Sequence, residues 1–201
     1  MLYGDYLSMI EQNSGKSMEE FLRARELDPF SPLTHLNVAA AYYMNREYRR
    51  AATELRRALE LFPDFWNLHL HLSLALAMEG RFEESLAEVQ ATALSSDKIW
   101  AIQGRGTAYG LCGKRDQAVK AIEELESLSK EQYVSPTAFA PIFAAIGDRD
   151  GAFRCFEKAF REKSPDLPGE ILGHPLYTDK LGADPRWTEL LQKMGLESRR
   201  P

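Results

Sequence analysis

The sequence predicts an all-α fold, a solenoid of about five helical hairpins ended by a capping helix. Three observations predict it. Small and large apolar residues recur along the chain with one period of about 34 residues. Within each period they fall at helical spacing on one face. Proline or glycine stands where the helices must stop. A period in this range means stacked units, each unable to bury its apolar face alone.

The register can be followed residue by residue. Tyr48, Ala51, Leu55 and Ala58 reappear one period on as Phe82, Ser85, Val89 and Thr92. Upstream, Ser17, Phe21, Ala24 and Pro29 precede Ala51, Leu55, Ala58 and Pro63 by the same step. Downstream, Ala118, Ile122 and Leu125 continue the series, and Ala152, Phe156 and Ala159 continue it once more. The repeats therefore span about 1–30, 32–63, 66–97, 99–131 and 133–164, as a solenoid over 1–164 with a C-terminal extension over 165–201.

The first unit is irregular, with SMIEQNSGKS spacing its helices loosely. In the second, a helix over 33–45 places Ala39, Ala40 and Ala41 where its partner must approach closely. That partner, over 47–62, carries a stripe of Ala51, Leu55, Ala58, Leu59 and Phe62, and Pro63 ends it. Gly80, Gly113 and Gly147 lie between paired helices, where a left-handed cap is wanted. In the fourth unit, WAIQGRGTAYG lies inside the first helix. Its Gly104, Gly106 and Gly110 are therefore packing positions and not a dinucleotide turn, which needs a strand before the glycines. At the end of the chain, Asp184 is an N-cap and Pro185 the first helical residue. Trp187, Leu190, Leu191 and Met194 form the apolar stripe of a closing helix that Gly195 stops.

With these residues in register the chain resembles the tetratricopeptide repeat: Gly near the turn, Tyr or Phe two on, Ala three later, a large apolar residue, Ala, and a closing Pro. Repeats two and three carry the pattern well. The fourth has Arg115 at the turn aromatic and no closing Pro, and the fifth has Arg149 there and Ser164 in place of the Pro. Residues 133–167 and 174–196 resemble the C-terminal end of bacterial multidomain signalling proteins. In those, such repeats follow a winged-helix DNA-binding domain, a nucleotide cyclase domain or a Ser/Thr kinase domain. Met1 falls where the first helix should already be under way, so the chain reads as a piece or relative of something longer.

The resemblance implies a right-handed superhelix whose first helices line a concave groove. On this chain the implied groove residues are Leu36, Asn37, Tyr43 and Met44 in repeat two, and Leu70, His71, Leu74 and Met78 in repeat three. Trp100, Gln103, Thr107 and Leu111 belong to repeat four. These positions hold no Lys or Arg. Repeats of this family that bind chaperone tails clamp a carboxylate with Lys, Arg and Asn, and only Asn37 matches. An apolar groove suits an amphipathic helix or an extended segment anchored by aliphatic side chains.

Composition excludes several other classes. Hydrophobic residues at 44% with 27% charged describe a globular chain and not a disordered one. A net charge of −5 without a basic run argues against direct nucleic-acid binding. No apolar run approaches the length of a membrane span, and MLYGDYLSMIEQ lacks the features of a signal peptide. A cytoplasmic location is expected, with Cys112 and Cys155 as free thiols. His69 and His71 are two apart on a helix and point to different faces, so no metal site is expected. His35 and His69 share one repeat position, where a bulky side chain packs between hairpins. Glu54, Glu60, Glu83, Glu84, Glu123 and Glu124 read as solvated surface. No nucleophile, base and acid come together in the register, so neither an enzyme nor a cofactor is expected. The expected function is protein–protein interaction with a protein or peptide partner. Two alternatives are a small-molecule-sensing domain and self-association through apolar surface at the irregular first repeat.

Overall fold

The computed structural model describes residues 14–92 and 97–196, with side chains from Ser17 onward. Among these residues the fold is all-helical, with twelve α-helices, one 3-10 turn and no strand. No described helix is long and apolar enough to cross a membrane. The chain divides into two compact units, Met1–Ser96 and Asp97–Pro201.

The first unit contains α1 (Ser14–Leu27), α2 (Pro32–Met44), α3 (Tyr48–Leu61), α4 (Trp66–Met78) and α5 (Phe82–Ala91). Each helix packs on the next, and α2 also meets α4. The core between them is Leu36, Ala39, Ala51, Leu55, Leu68, Leu72 and Leu76, with Tyr42 and Phe62 against its edge. Ala39 and Ala51 are small because α2 and α3 approach closely there, as the alanine run predicts. Pro63 lies just past α3, whose C-cap is Phe62.

The second unit contains α6 (Lys98–Leu111), α7 (Arg115–Leu128), a 3-10 turn (Pro136–Ala138), α8 (Ala140–Ala145) and α9 (Arg149–Glu162). Three helices follow, α10 (Leu167–Gly173), α11 (Pro175–Leu181) and α12 (Pro185–Lys193). Here α6 packs on α7 and α8, and α8 on α9 and α11. The first half of the fifth repeat is shorter than its sequence neighbours suggest. Pro136 opens the 3-10 turn and Pro141 stands in the first turn of α8, so a 3-10 turn and a short helix replace one long helix.

The expected period is visible in the helices. The starts of α1, α3, α5, α7 and α9, at Ser14, Tyr48, Phe82, Arg115 and Arg149, follow one another at the repeat spacing. Their core positions repeat too: Ala51, Ser85, Ala118 and Ala152 are all fully buried, as are Leu55, Val89 and Phe156. The four turns between α2 and α3, α4 and α5, α6 and α7, and α8 and α9 share one geometry. At Arg46, Gly80, Gly113 and Gly147 the backbone turns left-handed, with φ of 63°, 83°, 73° and 81°. The next N–H then donates to the carbonyl five positions back: Glu47 to Tyr42, Arg81 to Leu76, Lys114 to Tyr109 and Asp148 to Phe143, at 2.8–2.9 Å. Three of these positions are glycine. The fourth, Arg46, accepts the Cβ strain that glycine avoids. Arg46→Gly is therefore expected to raise stability by about 0.5–1 kcal/mol, read from the urea midpoint of the first unit. A lower midpoint would show that the arginine side chain contributes more than its backbone costs.

The C-terminal extension is richer than the single closing helix expected. Its last helix is as anticipated: Asp184 Oδ1 accepts from the Arg186 backbone N–H at 3.1 Å, Pro185 opens the helix, and Gly195 turns left-handed after it. Trp187, Leu190 and Leu191 are buried. The Arg186 guanidinium, hydrogen-bonded to Asp184, holds that carboxyl down at about 2. It also reaches Asp150 at 2.8 Å and lies over the Phe153 ring, so it ties α12 to α9. The boundary expected after residue 164 falls inside this unit. Phe156 of α9 stacks edge-on with Tyr177 of α11 at 5.0 Å and meets Trp187 of α12 at 6.2 Å.

Candidate functional site

The implied groove residues fall into two groups. In the first unit, Asn37, Tyr43, Met44, His71 and Met78 are half-buried on α2 and α4. Tyr43 packs edge-on against Tyr48 at 5.3 Å, which holds its ring at the end of α2. The Nδ2 of Asn37 is buried with no hydrogen-bond partner among the described residues. In the second unit, Trp100 is 52% exposed on the first turn of α6, where Asp97 caps its backbone N–H. Leu111, at the end of the same helix, is half-buried.

Leu36, Leu70, Leu74, Gln103 and Thr107 are buried and so differ from their expected place in an open groove. Leu70 is only 2% exposed. The cause is the composition of α4, WNLHLHLSLALAM, which is apolar on every side. A helix without a polar face gives no sequence signal for which residues meet solvent. In α6, Thr107 is buried and spends its hydroxyl on the Gln103 carbonyl at 2.8 Å. Gly106 and Gly110 lie at close approaches: an added Cβ at Gly106 would stand 2.8 Å from the Ala121 methyl, and one at Gly110 would stand 2.7 Å from that of Ala145. The glycine run is a packing device, as its place in the repeat implies.

A polar constellation went unread in the sequence. His35 Nδ1 is 2.8 Å from Glu54 Oε1 and its Nε2 is 3.0 Å from the Pro29 carbonyl. One period on, His69 Nδ1 is 2.6 Å from Glu88 Oε2 and its Nε2 is 2.8 Å from the Pro63 carbonyl. All three positions move together by one repeat. The Arg25 guanidinium donates to the same Glu54 oxygen at 2.9 Å. Glu54 is thus no surface carboxylate: it is 7% exposed and holds two donors. The signal was present as a His and a Glu at the same separation in two successive repeats.

A surface depression of about 370 Å³ lies between α9 and α12, lined by Phe153, Phe156 and Phe160 with Arg161, Arg186 and Lys193 at its edge. Glu157 and Glu189 share that rim, so its charge is mixed. Among the described residues no three His, Cys, Asp or Glu side chains gather as a metal site requires. Cys112 and Cys155 are half-buried thiols outside any disulfide, and burial pushes the Cys155 thiol up to about 12, where it is a poor nucleophile. No protein-family model and no curated protein matches the chain.

Proposed function

We propose that this chain is a tetratricopeptide-repeat protein, a right-handed superhelical solenoid that works by protein–protein interaction and carries no catalysis of its own. The observation that carries the reading is the repeat itself. Helix starts, buried positions, left-handed turns and a His–Glu–carbonyl constellation all recur at one spacing. Hairpins repeated in this way build extended faces, and such faces serve as docking surfaces more readily than as reaction chambers. The interaction residues are those the first helices leave accessible: Tyr43, Met44, His71 and Met78 on the first unit, and Trp100 on the second. The partner presents an apolar or amphipathic segment, for which Met offers adaptable contact and Trp a large anchor. By its resemblance, the chain is a regulatory arm of a bacterial signalling protein.

The test compares wild-type chain with Met78→Ala and Trp100→Ala in affinity capture from lysate. Both residues have side-chain surface in contact with water, whereas glutamate at buried Leu70 or Leu74 would disturb folding and confuse the result. Each variant is expected to retain helicity by circular dichroism and to lose about tenfold of the captured partner. Undiminished capture by both would place the docking surface elsewhere. Exposed Leu27 and Phe30, at the end of α1 and just after it, favour self-association as the second reading. A captured band of the chain's own mass, lost on Phe30→Ser, would decide for it.

A further inference from the structure

We propose that the depression between α9 and α12 is a docking site for an amphipathic helix of a partner protein, seated apolar side down and carrying on each flank a basic residue with an acidic one a turn away. The argument begins with the walls. At one end the Arg186 guanidinium reaches Asp150 at 2.8 Å and covers the Phe153 ring, which ties the first turn of α12 to that of α9. Beyond this tie a space of about 370 Å³ opens over Phe156, Phe160 and Leu190. Phe160 is 40% exposed, so the floor offers aromatic surface to water. The space admits a few apolar side chains and leaves the helix that carries them lying across its mouth.

Counted from the tie, both walls present charge in the same order. On α9 Glu157 is followed one turn on by Arg161, and on α12 Glu189 is followed one turn on by Lys193. All four side chains are exposed, and none has an ion-pair or hydrogen-bond partner among the described residues. Each glutamate stands four residues before its cation, the order that favours pairing along a helix, yet neither pair closes. The first unit bridges its helices differently: Arg56 of α3 crosses to Glu84 of α5 at 2.7 Å. Glu157 follows Phe156 as Arg56 follows Leu55, and a glutamate at that place makes no such bridge to Glu189. The alternation selects the occupant. A segment of one charge sign meets its own sign in either the carboxylate or the cation layer, so the complement has a basic group level with Glu157 and Glu189 and an acidic group level with Arg161 and Lys193. A helix repeats at about the same pitch as the walls, roughly 6 Å for four residues. It also presents an apolar stripe and two charged flanks at once, whereas an extended strand has only two faces. This site lies on a second helix of the repeat and on the closing helix, so it does not rest on the first-helix residues proposed above.

A display library of helical peptides tests the proposal, with an apolar stripe held constant and the flank positions drawn from Lys, Glu and Gln. The intact chain is the bait and its Phe160→Glu variant the counter-bait, with circular dichroism to check that the variant keeps its helices. Peptides are expected to be enriched about tenfold on wild-type chain over Phe160→Glu, and to carry a basic and an acidic residue one turn apart, in the same order on both flanks. The double variant Glu157→Gln/Glu189→Gln, which leaves the floor intact, should weaken a selected peptide by about fivefold or more. Failure of any peptide to distinguish the two baits overturns the proposal, as does enrichment of flanks that are all Gln or of one sign. Light scattering of the chain alone is expected to give the same mass for wild type and Phe160→Glu. A dimer lost in the variant would overturn the proposal by making a second copy of the chain the occupant.

Discussion

Replacing Phe156 with alanine is expected to destabilise the second unit by about 3–5 kcal/mol, the largest effect of any single truncation considered. The reason lies in what the ring touches. Phe156 has no solvent exposure and is the shared neighbour of Phe153, Tyr177 and Trp187, with ring centroids 6.4, 5.0 and 6.2 Å away. It comes from α9, while Tyr177 and Trp187 come from α11 and α12, so one side chain fastens two later helices to a repeat helix. Removing it leaves a cavity that large rings cannot collapse to fill. Urea denaturation followed by tryptophan fluorescence reads the loss, since Trp187 lies against the cavity. A cost below about 1 kcal/mol would show that the C-terminal helices are held by other contacts.

Glu54→Ala should come next, with a cost of about 2–4 kcal/mol to the first unit. The carboxylate is buried and accepts from both Arg25 and His35, so its loss strands a buried ring nitrogen. Arg25 keeps about a quarter of its side-chain surface in water, which places the expected cost below that of a fully buried pair. Glu88→Ala is the matched control one period on. Glu88 has one such partner and more solvent, and its loss should cost about 1 kcal/mol. Equal effects at the two sites, measured by urea midpoint, would mean that burial of Glu54 contributes nothing special.

These two residues also show how far the sequence could be read. Phe156 was legible because its position recurs as Leu55, Val89 and Ile122, and an apolar position repeated in every period is a core position. Asp184, Pro185 and Gly195 were legible because capping is local chemistry, written in the residues that perform it. Glu54 was not, since a carboxylate outside an apolar stripe looks the same whether water or a buried histidine lies beside it. Leu70 and Leu74 were misplaced for the opposite reason: α4 is apolar all round, so periodicity carries no direction there. Arg46 had no signal either, because the turn geometry that glycine takes at positions 80, 113 and 147 is met there by an arginine. The α9–α12 depression joins helices separated by two others along the chain and has no counterpart in the repeat pattern.

Site-specific photocrosslinking tests the central claim most directly. A photoreactive residue is placed in turn at Met78 and Trp100, on first helices, and at Arg57 and Glu123, which are exposed on second helices. The account predicts a discrete protein adduct from positions 78 and 100 and none from 57 and 123. Adducts of equal yield from all four positions, or none from 78 and 100, would contradict a partner-binding face carried by the first helices.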